Sequence, residues 1–169
     1  MYEEFYHLTE KPFTLSPDPS FLFLGKSHRR AMNILEYGVE SDAGITVISG
    51  EVGTGKTTLL RQLVSELGDD VTIGLITNTQ RDFGDLLKWV LLAYEIDTDE
   101  TDHVKLYKIF VDFITREHRA GRRVLLIVDE AQNLGPDALE DIRMLTNINV
   151  DKSLVLQLSW WGSRNCWRC

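Results

Sequence analysis

The sequence predicts an α/β fold, a parallel sheet with helices on both faces, and three observations carry that prediction. Apolar, β-branched runs alternate along the chain with segments of helical period, which is the order of a strand–helix–strand protein. One run, Val124-Leu125-Leu126-Ile127-Val128, has no polar alternation and must be buried on both faces, as strands of parallel sheets are. A glycine-rich stretch from Gly50 to Thr57 stands between a strand and a helix, and such sheets bind ligands beyond the C-terminal ends of their strands.

The elements follow in order. In residues 1–26, Pro12, Pro17 and Pro19 break helices while Phe13, Phe21 and Phe23 are apolar anchors, so this stretch reads as an N-terminal arm packed on the domain. Ser27 is a good N-cap for a helix from His28 to about Glu40, with Ala31, Ile34, Leu35 and Gly38 along one face. Gly44 to Ser49 is a buried strand, and Thr58 to Leu67 is an amphipathic helix stopped at Gly68. Val71 to Thr77 is a second strand. Asp82 to about Ile96 is helical, burying Phe83, Leu86, Leu87, Val90 and Leu91, and residues 97–102 form an acidic connector. A helix from Val104 to His118 ends at Gly121 and leads into the third strand, Val124 to Val128. Pro136 suits the first turn of a helix running to about Asn147, and Leu154 to Leu158 begins a fourth strand. Residues 27–158 thus form the core, with right-handed crossovers.

Bulk properties narrow the function. The chain has 169 residues, 43% of them hydrophobic, enough for one domain with a true core. It contains no run of ~18 apolar residues of the kind that spans a membrane. Its acidic, aromatic start, Met1 to Tyr6, is neither a signal nor a transit peptide, so a cytoplasmic location is expected. A net charge of −8 is poorly suited to holding nucleic acid by bulk electrostatics. Arg116, Arg119, Arg122 and Arg123 read as a solvated helix end complementing its dipole. Cys166 and Cys169 make a C-x-x-C, but a zinc site needs two further ligands and neither Cys nor His lies nearby.

The chemistry lies in two motifs. Gly50-Glu51-Val52-Gly53-Thr54-Gly55-Lys56-Thr57 fits G-x-x-x-x-G-K-[ST], the Walker A loop of P-loop NTPases. Its backbone N–H groups cradle a polyphosphate, Lys56 adds a point charge for the β- and γ-phosphates, and the Thr57 hydroxyl binds Mg²⁺. Thr58 extends the set into the following helix, whose N-terminal dipole favours the anion. An ordinary glycine-rich turn would explain the loop alone, but not the strand before it and the helix after it. Asp129-Glu130, after four apolar residues, is a Walker B pattern. Asp129 is assigned to the metal, directly or through water, and Glu130, with Lys56, to catalysis, Glu130 as the base that polarises a water for in-line attack. A helix cap after a strand is the competing explanation for these two acids, and their pairing with the phosphate loop decides against it. Asn78, at the end of the second strand, reads as a turn residue on the rim of the same cleft. These motifs therefore point to a nucleoside triphosphate and Mg²⁺.

Together these residues resemble the AAA-type ATPases of the general secretion pathway protein A family, also called ExeA-like. The resemblance rests on Met1 to Phe13, on Ser16-Pro17-Asp18-Pro19-Ser20-Phe21-Leu22-Phe23-Leu24 with His28, on Gly50 to Thr58, on Asp129-Glu130-Ala131-Gln132-Asn133-Leu134 and on the helix from Leu139 to Asn147. It covers residues 1 to about 158, and His7 departs from the glycine expected at its position. The resemblance makes that nucleotide ATP, and it implies a P-loop fold of the AAA/ASCE type and an ATPase that assists bacterial secretion or cell-envelope and exopolysaccharide machinery. It also implies a homo-oligomer in the full-length form, an envelope or secretion-system partner, and relatives attached to the inner membrane. A DNA-associated ATPase for transposition or replication shares the motifs, and the charge argues against it.

Residues 159–169 depart from that pattern, and the fold is expected to be incomplete at the C-terminus. In the family a strand ending Gly-Gln-Pro-Glu-Leu is expected there. Trp160-Trp161-Gly162, read one base earlier, can be Leu-Val-Gly, and Ser163 to Trp167 can be Gln-Pro-Glu-Leu-Leu. A frame shift near Leu158 is therefore expected. It would put Ser159 or a tryptophan where the family carries a polar sensor, and leave the fifth strand, the helical lid and the arginine finger absent. Arg164 and Arg168 are not given those roles. On this view a truncated product that binds nucleotide without turnover stands beside the ATPase. The class also places the fourth strand between the phosphate-loop strand and the Walker B strand.

Overall fold

A computed structural model describes residues 5–7, 23–41, 43–77, 85–150 and 153–162. Most of the N-terminal arm, Asn78, Phe83, both cysteines, Arg164 and Arg168 lie outside them. Six strands are present among the described residues: β1 (Ile45–Ser49), β2 (Val71–Ile76), β3 (Arg123–Val128), β4 (Asn149–Val150), β5 (Ser153–Leu154) and β6 (Leu156–Gly162). Five α-helices connect them: α1 (Lys26–Glu40), α2 (Lys56–Glu66), α3 (Leu86–Ala93), α4 (His103–Arg119) and α5 (Pro136–Leu145).

The main sheet has the order β1-β6-β3-β2, with every pair parallel. The strand between β1 and β3 is β6, the position expected for the fourth long strand. Side chains of β3 alternate between two apolar layers. Val124, Leu126 and Val128 join Leu156 and Leu158 of β6 beneath α3, α4 and α5. Leu125 and Ile127 join Trp161 beneath α1 and α2, where Met32, Leu35 and Val39 meet Leu59, Leu60 and Leu63. The sheet is thus covered on both faces at β3 and β6, as an all-parallel sheet requires, whereas β1, expected as a buried strand, is an edge strand that leaves Ile45 and Val47 exposed.

Several local expectations are corrected. The N-cap of α1 is Gly25 rather than Ser27, because the Gly25 carbonyl already accepts the Arg29 N–H at 3.0 Å. The buried stripe of α1 is Met32, Leu35, Gly38 and Val39, and Ile34 is 48% exposed. Phe23, expected as an anchor, sits in a turn closed by the Gly25 N–H on its carbonyl and is 85% exposed. Helix α3 stops at Ala93, short of Ile96, because Glu95 takes a left-handed conformation (φ 59°) and the Ile96 N–H returns to the Leu91 carbonyl at 3.0 Å. That is the helix stop usually made by glycine, here made by a glutamate that the sequence pattern does not flag. Leu154 belongs to a small antiparallel ribbon with Asn149, and the long strand starts at Leu156. That strand runs on through Ser159, Trp160 and Trp161 to Gly162.

The arginine cluster is only partly a solvated helix end. Arg116 and Arg119 lie in the last turn of α4, but Arg122 donates twice to Glu117, at 2.6 and 2.9 Å. Arg123 pairs with Asp70 and donates to the Val39 carbonyl at 3.1 Å. These two arginines fasten the entry of β3 to α4, β2 and α1.

Candidate nucleotide site at the strand ends

The site begins with backbone. Strand β1 ends at Ser49, and the Gly50 N–H donates to the Gly162 carbonyl at 3.2 Å, so the end of β6 holds the root of the loop. Gly53 and Gly55 both have φ near 80°, a conformation that side-chain-bearing residues rarely adopt. Gly55 is the N-cap of α2, and its carbonyl accepts the Leu59 N–H at 3.0 Å as the first helical bond. The N–H groups of Lys56, Thr57 and Thr58 therefore precede that bond, in the first turn where helix donors lack intrahelical partners. The sequence Gly50, Glu51, Val52, Gly53, Thr54, Gly55 thus forms an open loop whose exit is a helix N-terminus, the arrangement that binds phosphate.

The loop is braced from within. Thr54 Oγ1 donates to the Glu51 carbonyl at 2.8 Å. Lys56 Nζ donates to the carbonyls of Gly50 at 3.2 Å and Glu51 at 2.9 Å, which lays the ammonium across the loop. A Cβ at Gly50 would stand 3.1 Å from Thr54 Oγ1, so the loop has little room for a side chain there. This cradle of backbone donors, glycines and one ammonium fits a polyphosphate.

The second half arrives from β3. The Asp129 N–H continues the sheet, donating to the Ile76 carbonyl at 2.8 Å, and the residue is buried. Its Oδ2 accepts the Thr57 hydroxyl at 3.1 Å and its Oδ1 accepts the Glu130 N–H at 2.9 Å. Glu130 then turns the chain in a left-handed conformation, φ 54° and ψ 34°, into a 3₁₀ turn from Ala131 to Asn133. A non-glycine residue held there is uncommon and marks a constrained position. The Gln132 side-chain amide donates to Glu130 Oε2. Thr57, Arg61, Leu75, Thr77, Asp129 and Glu130 line a cleft of about 510 Å³ beside the loop.

Lys56, Thr57 and Thr58 in the first turn of α2 thus lie at the same end of the sheet as Asp129 and Glu130, which follow β3. No group of three or more His, Cys, Asp or Glu able to hold a metal occurs among the described residues. Any divalent cation would rest on the Thr57 hydroxyl, the Asp129 carboxylate and the phosphates of its ligand, the sparing donor set typical of Mg²⁺ with nucleotides. The expectation that Ser159 stands at the sensor position is corrected. It pairs with Thr46 and Ile127 in mid-strand, is buried, and accepts the Trp161 indole N–H at 2.8 Å. Trp161 is fully buried under α1 and α2 and does not face the cleft as a sensor would.

Three residues near the site were not assigned roles from the motifs: Arg61, Gln132 and His28. Arg61 follows Thr57 by one helical turn, a spacing that would have shown it. Gln132 is two residues from Glu130 and needed the turn geometry. His28 opens the first helix and belongs to the resemblance, but no motif gives it a role, and its Nε2 lies 2.8 Å from the Thr54 carbonyl.

Comparison with known proteins agrees with this geometry. The AAA domain family matches residues 39–168, a span that includes both motifs and the strand between them. General secretion pathway protein A of Aeromonas hydrophila is 36% identical over 159 residues, 94% of this chain and 29% of that protein, so the chain spans less than a third of its relative. Among solved structures, Cdc6p from Pyrobaculum aerophilum superposes with a TM-score of 0.64 at 17% identity, over 92% of this chain and 42% of that one. The Aeropyrum pernix ORC2 protein in ADPNP–ADP complexes gives 0.55 at 18% identity, over 90% and 43%. At such identities these two structures speak for the fold alone. A match that runs through both motifs and the strand separating them settles the family: the chain belongs to the AAA domain family and is ExeA-like within it.

Proposed function

We propose that this chain binds ATP with Mg²⁺ at the β1–α2 loop and hydrolyses it, in the service of bacterial secretion or cell-envelope machinery. The observation that carries the first part is the 3.1 Å bond from the Thr57 hydroxyl to Asp129, which joins the phosphate loop to the Walker B strand end. The second part rests on the 36% identity to General secretion pathway protein A and on nothing in the site itself.

In this reading the loop N–H groups and the first turn of α2 receive the phosphates, and Lys56 shifts from its loop carbonyls to the β- and γ-oxygens. Thr57 would supply its hydroxyl oxygen to the cation, and Asp129, which holds that hydroxyl, would meet the metal directly or through water. Mg²⁺, when bound, neutralises charge on the β- and γ-phosphates. Glu130 accepts a proton from the attacking water and directs it in line. The Gln132 amide donates to one oxygen of Glu130 and fixes the carboxylate's direction.

Hydrolysis measured with and without Mg²⁺ tests the proposal. Glu130→Gln should lower turnover at least ~100-fold with ATP affinity retained, as expected of a base. Lys56→Ala should weaken ATP binding itself. Binding by the wild type with no turnover in any condition would replace the ATPase with a nucleotide-binding module.

A further inference from the structure

His28 projects from the face of α1 that packs on α2. The buried members of that face, Met32, Leu35 and Val39, follow it at four, seven and eleven residues, which is one helical stripe. At the end nearest the phosphate loop the stripe turns polar. There His28 Nε2 lies 2.8 Å from the Thr54 carbonyl oxygen, so it is the donor in that bond. A Cβ at Gly55 would lie 3.5 Å from the same nitrogen, so the imidazole edge rests against the loop at the glycine that caps α2.

The peptide bond supplies the consequence. Thr54 C=O and Gly55 N–H belong to one planar, trans peptide unit and point in opposite directions. That unit turns by paired changes in Thr54 ψ and Gly55 φ, and Gly55, at φ 80°, has no Cβ to restrict its half of the rotation. A donor fixed on α1 and bonded to that oxygen removes this freedom and turns the Gly55 N–H to the other side of the loop. Thr54 Oγ1, the Thr54 N–H and Lys56 Nζ brace the loop at the Glu51 and Gly50 carbonyls, away from this peptide unit.

We propose that His28 is a positioning residue for the phosphate loop: by holding the Thr54 carbonyl it presets the Gly55 N–H as a phosphate donor. The proposal rests on the nucleotide-site reading above, and it adds to the site an element, α1, that lies outside both Walker motifs. It also separates His28 from a residue that contacts the base, since a positioning role acts on any polyphosphate.

Calorimetric binding of Mg·ATP and of Mg·pyrophosphate to the full chain tests it, using His28→Phe, which removes the donor, and His28→Gln, which keeps one. His28→Phe should weaken both ligands by a similar factor of roughly three to ten, the value of one lost hydrogen bond, and His28→Gln should recover most of the loss for both. Unchanged pyrophosphate affinity in His28→Phe overturns the proposal, whether or not ATP affinity falls. Equal loss in His28→Gln and His28→Phe overturns it too, because the donor would then be immaterial. Should His28→Phe fail to fold, His28→Met against His28→Gln makes the same comparison with side chains of near-equal length. Failure of the nucleotide site itself would show separately, as absence of binding in the wild type.

Discussion

Single residues in this fold carry opposite kinds of constraint, and β2 shows both. Gly74 is packed so tightly that a Cβ there would lie 2.6 Å from the ring of Tyr94, whose hydroxyl is buried with no hydrogen-bond partner among the described residues. Burial pushes that phenol well above its ordinary pKa, and Tyr94 packs at 4.9 Å on the Phe113 ring. Tyr94→Phe should therefore stabilise the chain by up to about 1 kcal/mol, because it removes an unsatisfied polar group and keeps the ring. Gly74→Ala should destabilise it by roughly 1–3 kcal/mol by overpacking. Urea unfolding of the two variants decides both; a Tyr94→Phe loss above 1 kcal/mol would mean the hydroxyl is satisfied after all. Neither constraint can be read from sequence, since each is a meeting of two elements. The phosphate loop is the contrary case. Gly53, Gly55, Lys56 and Thr57 announce themselves because the motif encodes a backbone shape and a charge, and neither depends on distant packing.

At the level of elements, helix α4 owes its placement to one carboxylate. Glu117, buried at its end, accepts two bonds from Arg122 and one at 2.7 Å from Thr72 of β2, so it ties α4 to the start of two strands. The Arg122 guanidinium, aided by the Thr72 hydroxyl and by Arg116, outweighs desolvation and holds Glu117 at a pKa of about 2. A depressed folded pKa contributes stability that is complete above the unfolded value, near 4.5, and is lost as pH falls through about 2. Glu117→Gln should cost roughly 2 kcal/mol at neutral pH, and the gap from wild type should close as the pH is lowered from 4.5 towards 2. A gap that stays constant across that window would show that the network contributes packing alone. The helices themselves were legible from their periodicity, but not their ends. Gly25 displaces Ser27 as a cap, and Glu95 ends α3 without glycine, because a backbone hydrogen bond can do what a favoured side chain usually does.

For the molecule as a whole, the decisive strand is β6, which stands between the two halves of the site. The periodicity expected of a strand breaks at Ser159, yet the strand continues, because adjacent tryptophans serve opposite faces of the sheet. Trp160 packs against the layer under α3, α4 and α5, and Trp161 fills the layer under α1 and α2. The sequence hid this: alternating burial needs one apolar residue per face, and two bulky aromatics in a row look like a departure from the pattern. Placement of the strand between β1 and β3 was legible only through the resemblance to P-loop ATPases, since no local signal encodes strand order. Trp161 has no exposed surface and reaches Leu125 and Ile127 of β3, so Trp161→Ala should cost about 3–5 kcal/mol through the cavity it leaves. That is a large share of the ~5–15 kcal/mol that holds a domain together. The same strand ends on the Gly162 carbonyl, which anchors the Gly50 N–H. Loss of Trp161 should therefore weaken Mg·ATP binding in conditions where most of the chain is still folded, and added nucleotide should raise the variant's Tm less than it raises the wild type's. A Trp161→Ala variant with wild-type stability and an undiminished nucleotide shift would place the indole outside the core and free the loop from β6.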